Sequence, residues 1–403
     1  MWLEIKPKEP LLLGEVRAES QFLTGQTYIP GRILRGVWAE WLTSQGMKDA
    51  QIMGTVNRTR IGNFFPAAVW HRLRYTLPIP VSALSCKLKG GFAREPHPEY
   101  RGHGVVDALL PHLAYRLLRK QGARFPVPFS LLCPQCQGRL DAFGGFYAVY
   151  ADGGGDRYVL FRPKFHGQTK VALSRYRRAS AEGMLYTASA LSRKVNAPDK
   201  RGDETDLIFV GRVYADGDAL TGLQEALKKV ALGALHARGY GRVEVRETEV
   251  DLPSLQQRLE EFNQTLKTLW WDIHRLAANA QELPQEPHGL YFSVDLLAPG
   301  VFQEQGVPTL IPTLMIGGQA VKPVFWMTRP DMASGWSTAW GLPKPTNLAA
   351  RMGSVYVFRW DGSEEALLPA LQALEEQGVG ERRDEGFGEC LICHPFHLEV
   401  EEK

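Results

Sequence analysis

Two cysteines separated by two residues, Cys133-Pro-Gln-Cys136, are followed by Gly138 in the form of a zinc knuckle. The turn between the cysteines aims both sulfurs at one metal ion, and the glycine lets the chain close tightly behind them. In the cytosol thiols stay reduced, so metal binding is favoured over a structural disulfide. The sequence predicts half of a tetrahedral zinc site here, the alternative being reduced surface cysteines.

The other half is expected in residues 81–112, a stretch that holds one cysteine and is rich in glycine, proline and histidine. Cys86 and His103 are the expected ligands, although His97 or His112 could replace His103. Three cysteines and one histidine close the coordination sphere of zinc, and a closed site is structural rather than catalytic.

A second pair with the same spacing, Cys390 and Cys393, lies in a predicted β-strand without the glycine or proline of a knuckle. Side chains three residues apart on a strand face opposite sides. A core position for one of them is therefore favoured over metal binding.

The chain contains an internal repeat built around two glycine-rich loops. The first copy has a helical pattern at 222–235, the loop His-Ala-Arg-Gly-Tyr-Gly-Arg at 236–242 and a β-type run at 243–250. The second copy has a helical pattern at 363–377, a loop at 378–388 and a strand expected from 389 to about 400. Both copies place Gly-aromatic-Gly directly before the strand.

Glycine in such loops permits a positive φ and a close approach of the backbone to a phosphate or base. A helix-capping turn explains one such loop, but two copies with nearby arginines favour RNA binding. The candidate RNA-binding residues of the two loops are Arg238, Gly239, Tyr240, Gly241, Arg242, Arg382, Arg383, Gly386, Phe387 and Gly388.

Positive charge is concentrated in residues 157–201, which hold eleven lysines and arginines against two acids and so carry +9, in a chain whose net charge is +3. A charge run of this kind is often only a solvated face. Aromatic residues interleave with the cations here, which is typical of surfaces that hold phosphates and stack bases. The candidate RNA-binding residues of this segment are Lys170, Arg175, Arg177 and Arg178.

A first helix is predicted to begin at Pro30, with an apolar stripe that runs from Ile33 to Leu42. Arg32 and Arg35 lie in its first turns, where free N–H groups and the helix dipole favour an anion. Both arginines are candidate RNA contacts.

These elements predict an α+β protein with two ferredoxin-like, RRM-like βαββαβ domains. The first domain is expected at 1–250 with a zinc-bearing insertion at about 50–145, and the second at 285–403, with a poorly marked first helix. A connecting helix is expected at 253–280, where apolar residues recur at helical spacing.

Several motifs resemble one family. The segment 29–36 (Ile-Pro-Gly-Arg-Ile-Leu-Arg-Gly) resembles the first-helix signature of the RAMP superfamily of CRISPR-associated proteins, and 237–243 resembles its glycine-rich loop. The segments 335–346, 353–357 and 386–397 resemble the Csx-ten subunit of type III-D effector complexes, a member of the Cas-five-like group.

The resemblance implies a non-catalytic subunit that grips the 5′ repeat-derived tag of the guide RNA. Its partners would be the large Cas-ten subunit and the backbone RAMP subunits. The same resemblance points to Cys86, His103, Cys133 and Cys136 as the zinc ligands.

An enzymatic alternative is a Cas-six-like endoribonuclease that cleaves repeat RNA with a histidine as acid or base. Such a histidine often lies on or near the first helix, but residues 30–43 contain none, and His236 and His166 remain as candidates. A nucleotidyl-cyclase palm would need converging carboxylates, whereas residues 151–156 have the pattern of a hairpin turn. No P-loop or nucleophile elbow occurs.

A third hypothesis is a zinc-stapled interaction scaffold that does not bind RNA; salt-dependent RNA binding would exclude it. Composition supports a folded protein, with 44% hydrophobic and 23% charged residues. Neither a signal peptide nor a membrane-spanning run is recognisable, so a cytoplasmic location is expected.

Overall fold

The computed structural model describes residues 1–14, 22–23, 25–174, 176, 179–337 and 341–399. The strands are β1 Trp2–Pro7, β2 Phe22–Leu23, β3 Arg60–Ala68, β4 Arg72–Pro78, β5 Ala83–Cys86, β6 Val105–Asp107, β7 Leu140–Ala142, β8 Phe146–Asp152, β9 Gly155–Phe161, β10 Phe165–Ser174, β11 Ala179–Leu191, β12 Lys194–Asn196, β13 Glu204–Tyr214, β14 Val243–Thr248, β15 Leu290–Leu296, β16 Phe302–Glu304, β17 Val307–Thr309, β18 Leu314–Ile316, β19 Gln319–Val321, β20 Phe325–Met327, β21 Pro330–Ala333, β22 Trp336–Ser337, β23 Leu342–Pro343, β24 Asn347–Ala350, β25 Val355–Trp360 and β26 Cys390–Ile392. The α-helices are α1 Gly31–Ser44, α2 Asp49–Arg58, α3 Leu109–Lys120, α4 Gly217–Lys229, α5 Leu255–His274, α6 Glu364–Gln377 and α7 Phe396–Glu399.

The first main sheet is antiparallel, with the strand order β14-β1-β13-β3, and β12 pairs with the remaining end of β13. β1 is central, because Trp2 lies opposite Arg212 of β13 on one side and Thr248 of β14 on the other. Helix α1 connects β1 to β3, and α4 connects β13 to β14. The chain order is therefore βαββαβ, and the sheet order is fourth, first, third, second strand.

The second main sheet has the order β26-β15-β25-β20, the same arrangement of fourth, first, third and second strand. Helix α6 joins β25 to β26. Between Leu296 and Phe325, where every residue is described, the chain forms two short hairpins, β16-β17 and β18-β19, and no helix. This absence explains why the sequence marks no first helix in the second half.

Helix α5 is the connecting helix predicted at 253–280, and it packs against β15 of the second sheet. Its buried face, which includes Phe262, Leu266 and Trp270, joins one apolar cluster with α3 and the second sheet. Arg258 of this helix forms a buried ion pair with Glu375 of α6, 2.9 Å between nitrogen and oxygen. The connecting helix is thus part of the core of the second half.

The strands between β3 and β13 form smaller sheets, with the orders β4-β8-β9, β6-β5-β7 and β10-β11-β2, the last of which also takes in β2 from before α1. The insertion was expected to begin at about residue 50, but β3 pairs with β13 in the first main sheet. The inserted material therefore begins after Ala68, and α2 leads into a strand of the main sheet. The hairpin turn expected at 151–156 joins β8 to β9.

Some predicted elements end at different residues. The helix expected at 222–235 spans Gly217–Lys229. It begins five residues earlier than expected because Asp216 is its N-cap, and the Asp216 side chain accepts the N–H of Ala219. The strand expected from 389 to about 400 ends at Ile392, because Cys393 has a positive φ of 48° and Pro395 precedes a short helix. None of the described helices is long and apolar enough to cross a membrane.

Candidate metal centre and nucleic-acid interface

Cys86, His103, Cys133 and Cys136 converge, with their ligand atoms all within 4.8 Å of one another. The Sγ atoms of Cys86 and Cys136 are 3.5 Å apart, and Cys133 Sγ is 3.6 Å from His103 Nδ1. Tetrahedral zinc with Zn–S bonds of about 2.3 Å requires sulfurs about 3.8 Å apart. These four residues can therefore hold a metal ion, and their separations and donor types fit zinc.

Two turns present these ligands. The backbone N–H of Gln137 bonds to Cys133 O at 2.9 Å, and that of Cys133 bonds to Gly138 O at 2.9 Å, which closes the knuckle. A Cβ at Gly138 would lie 3.1 Å from Cys136 Sγ, so glycine leaves room for the sulfur. On the other side, N–H groups of Lys89 and Leu88 lower the pKa of Cys86 to about 6, which favours the thiolate that zinc binds.

The second glycine loop contacts the start of α1, although more than 300 residues separate them in the chain. Asn63 of β3 joins the two, because its Oδ1 accepts the N–H of Gly31 at 3.1 Å and its Nδ2 donates to Gly386 O at 3.1 Å. Glu389, which is buried, accepts from both the backbone and the side chain of Asn63 at 2.7 Å. The helix-one motif and the C-terminal loop thus form one structure.

Phe387 is only 4% exposed, and two guanidinium groups cover its ring. Arg382 lies 4.7 Å from the ring centroid and Arg32 lies 5.8 Å from it. Arg382 also forms a bidentate pair with Glu385, at 2.9 Å for each bond, so its charge is already compensated. Arg32 has no ion pair with any described residue.

Arg35 has hydrogen-bond partners of its own. Its guanidinium donates to Asp384 O at 2.8 Å and to Asn57 Oδ1 at 2.7 Å. Arg383 is exposed in the short 3-10 turn of the loop. Four arginines were predicted as RNA contacts around α1 and the second loop. Of these, Arg32 and Arg383 have no ion pair with a described residue and remain available to an anion.

A cleft of about 510 Å³ opens beside Arg32 and Phe387. Its walls come from the chain before α1, from the inserted segment 142–146, and from residues of the second half around Pro299, Arg329 and Arg351. Arg329 and Arg351 line it and are exposed, and among the lining residues Asp331 is the one acid. Neither arginine side chain has a hydrogen bond or ion pair within the described residues. Three guanidinium groups thus surround one open cleft.

The first glycine loop has a different environment. Tyr240 is 6% exposed and packs in a cluster with Leu12, Ala188 and Ala190. Its hydroxyl donates to Gln168 Oε1 at 2.6 Å, and Lys170 Nζ lies 4.9 Å from its ring centroid. Tyr240 was expected to stack on a base, but its ring has no exposed face because the β10-β11 hairpin covers it.

The glycines and arginines of this loop also have local roles. A Cβ at Gly241 would lie 2.5 Å from Leu232 O, whereas one at Gly239 would meet nothing within 4 Å. Arg242 is 3.8 Å from Glu9, and its N–H bonds to the same carboxylate at 3.3 Å. Gly241 is therefore required by the closure of the loop itself.

The basic segment 157–201 forms β9, the β10-β11 hairpin and β12. Arg175, Arg177 and Arg178 lie outside the described residues, so their assignment stays a prediction. Between them, Tyr176 is 96% exposed at the hairpin end. Lys170 lies over the ring of Tyr240, which gives it a structural contact in addition to its expected one.

Cys390 and Cys393 are both buried, and burial raises the pKa of each thiol, to about 12 for Cys393. No described residues other than the four around Cys86 form a metal-ligand cluster. The core position expected for one cysteine of this pair thus holds for both.

A buried ion-pair network lies shortly after Cys390 and Cys393 in the chain. His397 Nδ1 lies 2.8 Å from Asp107 of β6, and its Nε2 lies 2.7 Å from Asp295 of β15. Burial alone would lower the pKa of this imidazole, but the two carboxylates outweigh it and raise the pKa to about 10. The protonated ring therefore ties the inserted sheet to the second main sheet.

Neither histidine considered for catalysis has an acid–base partner among the described residues. His236 Nε2 lies 2.9 Å from Gly233 O, and both His236 and His166 are exposed. The sequence did not single out Arg329, Arg351 or Asn63. Arg351 and Asn63 stand beside short glycine motifs, but only the folded chain brings them to the cleft and to the second loop.

No curated protein matches the sequence. In structure the chain is similar to a subunit in the cryo-EM structure of the type III-B Cmr-beta complex bound to cognate target RNA, with 14% identity, a TM-score of 0.41, and 89% of this chain and 86% of that one covered. It is also similar to a chain in the crystal structure of the Csm3-Csm4 subcomplex of the type III-A CRISPR-Cas interference complex, with 12% identity, a TM-score of 0.37, and coverage of 91% and 96%. Similarities this low carry no functional argument.

The sequence itself gives the stronger comparison. Residues 273–395 match the family described as CRISPR-associated protein (Cas_Cmr3). The matched region includes Arg329, Arg351 and the whole second glycine loop. Over these residues the match agrees with the resemblance to CRISPR-associated proteins that the motifs predict.

Proposed function

We propose that this protein is a non-catalytic subunit of a type III CRISPR effector complex and binds the 5′ repeat-derived tag of the guide RNA. The observation that carries the proposal is the cleft beside Phe387, with Arg32, Arg329 and Arg351 around it and one acid in its lining. Arginine is suited to this role because its planar group binds phosphate in a bidentate manner and stacks on bases.

The cleft has the surfaces that a single strand requires. Single-stranded nucleic acids bind where cations follow the backbone and rings or apolar side chains meet the bases. The three guanidinium groups supply the first, and Tyr28, Phe146 and Met332 line the same cleft.

Two ferredoxin-like domains support the cleft in this proposal. The fourth, first, third, second strand order occurs in both main sheets. We place domain one at 1–250, the connecting helix at 253–280 and domain two at 285–403, with the inserted material after Ala68. The hairpin β10-β11, with the predicted contacts Arg175, Arg177 and Arg178 at its end, extends the RNA path beyond the cleft.

Zinc would be structural in this protein. Four protein ligands leave no open position for water or substrate. The metal would join β5 to the knuckle, and the same small sheet leads through β7 into residues 142–146 that line the cleft. Zinc thus supports one wall of the cleft.

The finer assignment is to the Csx-ten subunit of type III-D complexes, in contact with the large Cas-ten subunit and backbone RAMP subunits. The motifs at 335–346 and 386–397 support it. Co-purification from the native host should recover these subunits and an RNA with a constant 5′ end. Recovery of RNA with random 5′ ends would contradict tag recognition.

The direct test is tag-RNA affinity, measured by fluorescence anisotropy across salt for the double variant Arg329→Ala/Arg351→Ala. Each lost phosphate contact should flatten the slope of log affinity against log salt by about 0.7. The control is Arg119→Ala/Lys120→Ala, which removes the same charge from the exposed end of α3. Equal slopes for the two variants would place the RNA elsewhere.

The absence of catalysis is tested separately. Repeat RNA incubated with the protein should remain intact, with and without divalent metal. Cleavage that disappears in His236→Ala or His166→Ala would replace this proposal with the Cas-six-like alternative.

A further inference from the structure

An exposed surface beside the candidate metal site combines two leucines with two lysines. This leucine–lysine surface consists of Lys87, Leu88, Lys89 and Leu132. Leu88 is 81% exposed and Leu132 is 48% exposed, whereas Cys133, the next residue in the chain, is buried. Apolar side chains that are exposed together and rimmed by charge mark interaction sites.

Backbone contacts join the two parts of this surface. The N–H of Lys87 donates to Arg139 O at 3.0 Å, and Leu132 forms a β-bridge with Arg139. A Cβ at Gly138, the preceding residue, would lie 3.9 Å from Leu88 Cδ1. Residues 87–89 and Leu132 therefore border the same two residues, although they are far apart in the chain.

The two lysines carry charge that the described part of the chain does not compensate. Lys87 and Lys89 are exposed, and neither side chain has an ion pair or a hydrogen bond with a described residue. Arg139 is in an ion pair with Asp141 at 3.3 Å and adds no net charge. Free cations beside exposed apolar side chains fit a partner with phosphates and with base faces, which is the chemistry of a single-stranded nucleic acid.

The backbone of the surface is fixed by contacts within the protein. Lys89 O accepts the N–H of His103 at 2.9 Å, and the N–H of Cys133 donates to Gly138 O at 2.9 Å. A partner that binds here therefore has little backbone to order, which favours affinity.

The surface lies one short strand away from the arginine cleft. Strand β7 begins directly after Arg139, and its last residue, Ala142, lines the cleft together with Phe143. Strand β5, which ends directly before Lys87, pairs with β7. At about 3.3 Å per residue, Arg139 and Ala142 are about 10 Å apart, a length that about three stacked nucleotides span.

We propose that the leucine–lysine surface binds the nucleotides of the guide RNA that adjoin those held in the cleft. Lys87 and Lys89 contact phosphates, and Leu88 and Leu132 pack against bases. RNA is favoured over an acidic protein segment because the surface adjoins the arginine cleft, so the choice of RNA rests on the proposed function. Neither kind of side chain reads a base edge, and the contact is therefore independent of sequence.

The first experiment measures fluorescence anisotropy of the full-length protein with tag RNAs of about 5 and about 12 nucleotides, lengths within the range of single-strand sites. The longer RNA should bind at least about tenfold more tightly. Lys87→Ala/Lys89→Ala should remove most of this gain and flatten the salt slope of the longer RNA by about 1.4, which is about 0.7 per lysine. Affinity for the shorter RNA should change less than about twofold.

Lys87→Arg/Lys89→Arg keeps both charges and should bind the longer RNA as the wild type does. Arg119→Ala/Lys120→Ala removes the same charge from the end of α3 and should not remove the gain from the longer RNA. A gain that is equal in the wild type and in Lys87→Ala/Lys89→Ala would overturn the proposal.

The second experiment tests the leucines. Leu88→Ala/Leu132→Ala should weaken the longer RNA at least about threefold without changing its salt slope, because no charge is lost. Leu276→Ala, at a leucine that is 63% exposed beyond α5, is the control and should have no effect. Photo-crosslinking of 4-thiouridine in the added nucleotides should label residues 87–89. No crosslink there, with unchanged affinity in the leucine variant, would overturn the proposal.

Arg329→Ala/Arg351→Ala separates this inference from the proposed function, because it should weaken both RNAs. If it does so while Lys87→Ala/Lys89→Ala binds the longer RNA as the wild type does, the inference fails and the proposed function stands. If the arginine variant binds both RNAs normally and the lysine variant loses the longer one, the cleft assignment fails and the leucine–lysine surface is retained.

Discussion

The loop at 233–241 and the loop at 380–388 correspond residue by residue, at an offset of 147. Leu235 and Arg382 both have positive φ, of 61° and 55°, and each precedes a 3-10 turn. Leu232 N–H bonds to Gly241 O at 2.8 Å, and Val379 N–H bonds to Gly388 O at the same distance. The backbone geometry of the two loops is the same.

The strands that the loops contact correspond as well. Gly241 N–H donates to Pro10 O at 3.1 Å, and Gly388 N–H donates to Pro299 O at 2.9 Å. Each proline follows the central strand of its sheet, β1 or β15. The glycines are thus explained by closure of the loop onto its own domain.

The neighbours of the two loops differ. The β10-β11 hairpin covers Tyr240, whereas Arg32 and Arg382 cover Phe387 beside an open cleft. A shared glycine motif therefore specifies a shared backbone, and the elements packed on it decide which loop borders a charged cleft. Under the proposed function, the second loop rather than the first borders the RNA.

The largest effect should come from filling the second loop. A Cβ at Gly388 would lie 1.8 Å from Val379 O, closer than the 2.5 Å at Gly241. With the strain of φ 67°, Gly388→Ala should cost about 3 kcal/mol or more of unfolding free energy. Urea denaturation measures it.

Gly239→Ala is the control for this prediction, because its Cβ meets nothing and only the strain of φ 80° remains, about 1–2 kcal/mol. Gly241→Ala should fall between the two. Equal losses at Gly388 and Gly239 would show that steric closure does not distinguish the positions.

Removal of zinc should damage the cleft beside the second loop. One equivalent of metal per chain is expected by elemental analysis, and Cys133→Ser/Cys136→Ser should lose it, with lower thermal stability, because metal binding is coupled to folding. Cys393→Ala is the control and should keep its metal. A full zinc load in the double variant would exclude these ligands.

His397, in the tail after the second loop, should make the stability of the protein depend on pH. The first loop is followed by no such histidine–carboxylate pair within the described residues. The folded pKa of His397 is raised to about 10, above the usual value of about 6.5. The folded state therefore binds more protons between these values, and stability falls as pH rises from about 6.5 through 10.

Urea midpoints at pH 7 and 9.5 measure this loss, and His397→Gln should flatten the dependence. The pKa of Cys86 is lowered to about 6, so the protein is saturated with zinc to keep the charge of this thiolate constant. An identical pH dependence in the variant would assign the effect to other groups.

The smallest effects should separate the two tyrosines near the first loop. Tyr240→Phe removes the bond to Gln168 and should cost about 1 kcal/mol of stability with RNA affinity changed less than about twofold. Tyr176→Ala removes an exposed ring at the hairpin end and should cost about 1–3 kcal/mol of RNA binding. The opposite pattern would indicate that RNA binds at the first loop.

Local features of the sequence determined much of this protein. The stripe of α1, the pattern of α6 and the central strand β1 follow from hydrophobic periodicity, which needs no distant partner. The four residues of the candidate metal site follow from knuckle spacing and the resemblance to a family. The repeated glycines follow from positive φ, which few other residues adopt.

Only the tertiary structure decided which distant residues share a site. Sheet pairing placed β3 in the first main sheet and so moved the start of the insertion past Ala68, because strand partners are set by long-range contacts. The same packing buried Tyr240 and brought Arg329 and Arg351 beside Arg32. A sequence motif specifies its own backbone, but its burial and the charges that surround it also depend on residues far away in the chain.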